Sequence, residues 1–169
     1  NVLSELFVGD LEWSEEKYGN ITGGVAVFAG LGGAVLGGFL ADKFGPRKIA
    51  AISTVAYGML LTGFGVAETI WAQDFITVPY LVTESLLQGC FATSVIAICL
   101  GVSHPAIAAT QFTAYMAMSN LATSWGTGIS PWVQNTFGTS GAFVAAGVLQ
   151  ASLVVVLPFT LNRRSPEPE

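Results

Sequence analysis

Charge is what this chain lacks. Charged residues make up only 10% of it, against roughly 25% in a soluble domain, too few to wet the surface of a globular fold. Cysteine is nearly absent as well. Cys90 and Cys99 fall in one apolar run, on nearly opposite faces if that run is helical, so they cannot pair and read as small buried hydrophobes. The one histidine, His104, stands beside Pro105 and reads as a helix cap or loop residue. No second His, Cys or carboxylate cluster accompanies it, which leaves no metal site. Nor does the chain carry a nucleophile–base pairing or a phosphate-cradling glycine loop. An enzyme is therefore not expected, and neither is a cofactor. The cations form no patch with interleaved aromatics, so nucleic acid is excluded as a partner.

Long apolar runs are what the chain has. Hydrophobic residues are 52% of the total, and the few charges are clustered, leaving uncharged stretches long enough to cross a bilayer. Backbone polar groups in lipid must be satisfied within the segment, which makes these stretches helices. The pattern predicts an all-α membrane protein with spans at about 18–41, 47–66, 77–100, 105–129 and 140–161. Pro46 and Pro105 suit the first turns of the second and fourth spans, where a missing N–H costs nothing. Pro131 and Gly138 mark the connection between the last two. Residues 1–17 read as the end of a preceding helix and an outer loop, and 162–169 as a tail. With no initiator Met and no signal-peptide pattern, the chain reads as a fragment of a longer one.

The cations orient the bundle. Lys43, Arg47 and Lys48 lie between the first two spans, and Arg163 and Arg164 follow the fifth. Five spans put both groups on one side, which the positive-inside rule makes cytoplasmic. The other side holds Lys17 and the acids Glu5, Asp10, Glu12, Glu15, Glu16, Glu68 and Asp74. The net charge of −5 is thus an outer-loop property. Trp13, Tyr18, Trp71 and Trp132 are expected at the outer interface.

The turn between the first two spans follows the pattern Gly-x-x-x-Asp-Lys-x-Gly-x-Arg-Lys on Gly38, Asp42, Lys43, Gly45, Arg47 and Lys48. It resembles the signature loop of the major facilitator superfamily, with Lys43 in place of the usual Arg and Pro46 where many members carry another cation. The segment from Glu12 to Tyr18, the turn itself and the stretch from Ala109 to Tyr115 look like the AmpG-type permeases of the peptide–acetyl-CoA–drug uptake group. That resemblance covers nearly the whole chain. It implies that the five spans are part of the C-terminal six-helix bundle of a twelve-span carrier, whose missing N-terminal half supplies the rest of the cavity. It also implies an inner-membrane protein that imports a muropeptide-like solute with protons by alternating access. A non-transporting membrane scaffold of five spans is the alternative, since it needs only tight helix packing.

Four residues are candidates for a substrate or proton pathway. Glu84 is the acid well inside an apolar run, where a carboxylate is costly and faces a cavity or a partner. Gln88 lies one turn along on the same face. Gln111 and Asn120 belong to a set of polar residues in the fourth span, with interhelical hydrogen bonding as their plainer role. For Glu84 the plainer role is a place near the outer interface. The first span is glycine-dense, with small-xxx-small steps at Gly19/Gly23 and Gly33/Gly37. These suit close helix packing, and equally a helix that slides on its neighbour.

Overall fold

The computed structural model describes residues 5–161; Arg163 and Arg164, and with them the tail's share of the orientation argument, lie outside the described residues. The chain is helical throughout, with no strand among the described residues. A short π-helical turn, Glu5–Asp10, leads through a loop to the first long helix. Ser14 caps that helix, its hydroxyl accepting from the Lys17 N–H at 3.1 Å, as a Ser at this position does. We number the long helices α1 (Glu15–Phe44), α2 (Pro46–Val66) and α3 (Asp74–Val102). Each is longer than the ~20 residues that cross a hydrocarbon core.

Beyond a 3-10 turn at Pro105–Ile107, the chain is helical from Ala108 to Leu161 with one break, Gly138, at φ 73° and ψ 173°. The segments on either side, α4 (108–137) and α5 (139–161), fold back on each other. A single cavity is lined both by Thr123 and Thr127 and by Ala146 and Gln150. In an unbroken helix Thr123 and Gln150 would be roughly 40 Å apart. The expected connection at 130–139 is thus mostly helix, including Pro131, and a single left-handed glycine makes the reversal.

Two helix pairs carry the bundle, each held by glycine. In α1·α3 the helices run parallel. A Cβ on Gly33 would strike the Leu86 backbone, one on Gly37 would lie 2.6 Å from the Cys90 Cα, and one on Gly89 would strike the Gly30 carbonyl. The Cys90 thiol donates to the Gly33 carbonyl at 3.0 Å in the same contact. In α2·α5 the helices run antiparallel. A Cβ on Gly58 would lie 2.6 Å from the Gly147 carbonyl oxygen, and one on Gly65 2.9 Å from that of Ser140. The Ser140 hydroxyl donates to the Gly65 carbonyl at 2.6 Å. Of the two small-residue steps in the first span, Gly33/Gly37 packs, whereas Gly19 and Gly23 face open space.

At the end of the bundle opposite the Lys43 turn, aromatic rings fill the space between helices. Phe64 stacks on Tyr80 at 3.7 Å and on Trp71 at 5.2 Å, with Phe143 edge-on to all three. Of the aromatics expected at the outer interface, Tyr18 is half-buried and two others pack inward. Trp71 is only 4% exposed and Trp13 only 7%, so both belong to the core, while Trp132 is exposed. Trp71 can be buried because its indole N–H finds the Phe64 carbonyl at 2.7 Å, the partner a buried Trp requires.

Glycine at these crossings is a steric requirement, which substitution checks. Gly89→Val forces α1 and α3 apart and should lower the melting temperature of the detergent-solubilised protein markedly, since overpacking costs about 1–3 kcal/mol or more. Gly32→Ala, at a position where an added methyl meets nothing, should leave it unchanged. Equal sensitivity at the two positions would contradict the observed crossing.

Candidate functional site

The turn between α1 and α2 is built by Gly45. Its φ of 92° and ψ of 136° lie in a region L side chains avoid, and its N–H closes α1 on the Ala41 carbonyl at 2.8 Å. Pro46 then opens α2 at the first helical position, where its fixed φ is pre-set. The reversal leaves Asp42, Lys43, Arg47 and Lys48 exposed together at one end of the bundle, with the Lys43 ammonium 5.3 Å from the Phe44 ring centroid. Gly38 sits one turn inside, where an added Cβ would meet the Thr93 methyl at 3.6 Å. Among the described residues Asp42 makes no ion pair.

The other end of α1·α3 carries an ion pair that spacing alone does not announce. Lys17 donates to both carboxylate oxygens of Asp74 at 2.7 Å, and its ammonium lies 4.0 Å from the Trp13 ring centroid. The pair ties the starts of the two parallel helices. Half-exposed as it is, its contribution is at most about 1 kcal/mol.

Glu84 lies ten residues into α3, about 15 Å from its Asp74 end. It is half-buried. From α2, the Tyr57 hydroxyl donates to its Oε1 at 3.1 Å. Tyr80, one turn earlier on α3, is 5% exposed, and its hydroxyl is buried with no partner among the described residues. Tyr80 lies within electrostatic range of both Glu84 and Tyr57. Glu84 thus sits in a polar cluster that the sequence reading missed. A tyrosine hydroxyl in the middle of an apolar span was the available signal, but nothing along the chain connects position 57 to position 84.

The other predicted pathway residues are dispersed. Gln88 lines an open groove of about 480 Å³ between α1 and α3, with Thr22, Gly30, Ser85 and Gly89. Gln111 lies in the first turn of α4, where its Oε1 accepts from the His104 N–H at 2.7 Å. It closes the α3–α4 connection, some 27 Å along the bundle from the level of Glu84. His104 caps the 3-10 turn there, its Nδ1 accepting from the Ala106 N–H at 3.3 Å. Asn120 is on the exposed face of α4. Glu84 and Gln88 share a helix face one turn apart, and neither Gln111 nor Asn120 joins them in this arrangement.

Four helical segments are long and apolar enough to cross a membrane, the last of them containing the Gly138 break. The molecule is a multi-pass helical membrane protein with a half-buried polar cluster. The family model described as Major Facilitator Superfamily matches residues 1–169, and the chain belongs to that superfamily, whose members are secondary transporters. Comparison with curated proteins and with solved structures returned no match.

The Tyr57–Glu84 bond has a measurable energy. Tyr57→Phe should lower stability by about 1 kcal/mol, the scale of interhelical hydrogen bonds in membranes, and should cost nothing further in a Glu84→Met background. Thermal melts of the four variants of the double-mutant cycle measure this, and additive losses would show that the two side chains do not interact.

Proposed function

We propose that this chain is part of a proton-coupled carrier that imports a muropeptide-like solute, and that it forms five spans of the carrier's C-terminal bundle. The observation that carries the reading is Glu84, an ionisable group deep in an apolar helix and engaged by a hydroxyl from the neighbouring helix. A carboxyl so placed in a membrane marks an ion or proton route. Gln88 offers an amide to the solute from the adjoining groove, and Asn120 does so from the face of α4 that the N-terminal half would cover. Gln111 stands at the cytoplasmic mouth. The Gly38–Lys48 turn, with Asp42 and its cations, lies at the cytoplasmic face of the inner membrane, and the C-terminus is on the same side. Alternating access then moves the two halves about a site near the mid-plane.

The AmpG-type reading rests on the residues of the turn, the segment before α1 and the start of α4. It names the solute class to test. The complete carrier in proteoliposomes should accumulate a radiolabelled anhydro-muropeptide only when an inward proton gradient is imposed. Glu84→Gln should cut gradient-driven uptake by tenfold or more while solute counterflow, which needs no net proton movement, stays within a few-fold. Uptake indifferent to the gradient would remove proton coupling. Equal loss in both assays would reduce Glu84 to a structural role.

A further inference from the structure

A second, partly open cavity is lined by Tyr57, the residue whose hydroxyl meets Glu84. It measures about 520 Å³ and lies between α2, α4 and α5. Its lining is mixed. Leu61 and Phe143 are apolar, whereas Tyr57, Thr127, Ser130 and Gln150 bring polar atoms to it. The Thr127 hydroxyl donates to backbone carbonyls of its own helix, which leaves its oxygen free to accept. The Gln150 side-chain N–H group is buried without a partner among the described residues. A buried amide in that state calls for an acceptor, and a water seated among Gln150, Thr127 and Tyr57 would supply one, although most of the lining is apolar. Tyr57 belongs to both places: it lines this cavity and donates to Glu84.

We infer that the cavity between α2, α4 and α5 is a hydrated vestibule that serves Glu84 through Tyr57, separately from the groove that holds Gln88. The inference deepens the proposed proton coupling and rests on it. The step balances as a relay. The Tyr57 O–H bond breaks as its proton passes to Oε1 of the Glu84 carboxylate, and a hydronium in the vestibule gives a proton to the same Oη and becomes water. One proton moves from vestibule to Glu84, and Tyr57 is restored. The groups around Glu84 suit this. Tyr57 faces it from α2, Tyr18 of α1 is within electrostatic range, and Tyr80 lies on its own helix. Among the described residues no cation pairs with it. Tyr57 is thus a positioning and relay residue, and it does not touch the solute in this scheme.

Two probes separate the inference from its parent reading, both on the complete carrier in membranes. With Cys90 and Cys99 replaced by serine, Thr127→Cys should react with a charged, lipid-insoluble thiol reagent at least tenfold faster than Phe28→Cys, a control on the exposed apolar face of α1. A slow Thr127→Cys would show a dry cavity and overturn the vestibule. The second probe is a hydrophobic carbodiimide, which modifies protonated carboxyls, with labelling of Glu84 read by intact mass across pH. Tyr57→Phe has no proton to pass, and it should cut gradient-driven uptake at least tenfold while counterflow stays within a few-fold. Gradient-driven uptake that survives in Tyr57→Phe would overturn the relay. Thr127→Cys retains Tyr57, so the cavity test stands whether or not Tyr57→Phe inserts normally. If Glu84 labels with a clear pH dependence while Thr127→Cys is unreactive, proton coupling at Glu84 stands and the vestibule falls. Labelling independent of pH overturns both.

Discussion

Backbone contact at glycine is the constraint on which this bundle depends. Hydrocarbon gives helices no hydrophobic reason to associate, so packing must come from close van der Waals approach and a few hydrogen bonds. Gly33, Gly37 and Gly89 allow α1 and α3 to meet backbone to backbone, and Gly58, Gly65 and Gly147 do the same for α2 and α5. At that separation a thiol and a hydroxyl, Cys90 and Ser140, reach carbonyls of the facing helix. The polar bonds are consequences of the close approach, since longer interhelical distances would leave both groups short.

The two glycine-held pairs meet at the α2·α3 interface, and the polar chemistry is concentrated there. Within each pair the glycine contacts bring backbone against backbone. Between the pairs there is room for Tyr57, Tyr80 and Glu84. The Tyr57–Glu84 bond is the side-chain hydrogen bond that joins α2 to α3 among the described residues. An unpartnered Tyr80 hydroxyl beside it is costly in a low-dielectric interior. The bundle is thus two glycine-held pairs joined by a polar seam.

Much of this was legible in the chain. Long uncharged runs admit only helix in lipid, and α1, α2 and α3 follow from that alone. The Gly45–Pro46 turn was legible because each residue has a backbone preference that acts locally. The Lys17–Asp74 pair was not, because 57 residues separate the partners. Trp13 and Trp71 misled for a related reason. An aromatic at a span end suits an interface, and packing turns these two inward, Trp71 between Phe64 and Phe143 with its N–H on the Phe64 carbonyl and Trp13 against Phe7. The polarity of Gln111 was legible, but its bond to the His104 N–H, which sets it at the α3–α4 connection, was not.

The sequence by itself determined the solvent, the helical character of the spans and the family. Those properties depend on composition, on the length of apolar runs and on a contiguous motif, all of which act over a few turns of chain. Tertiary structure decided which glycines are crossings and which face open space, which acid acquires a hydroxyl partner, and where a cavity opens beside it. Each of these depends on the side chain of one helix meeting the backbone of another. Spacing along a single helix specifies a face but never the neighbour that covers it.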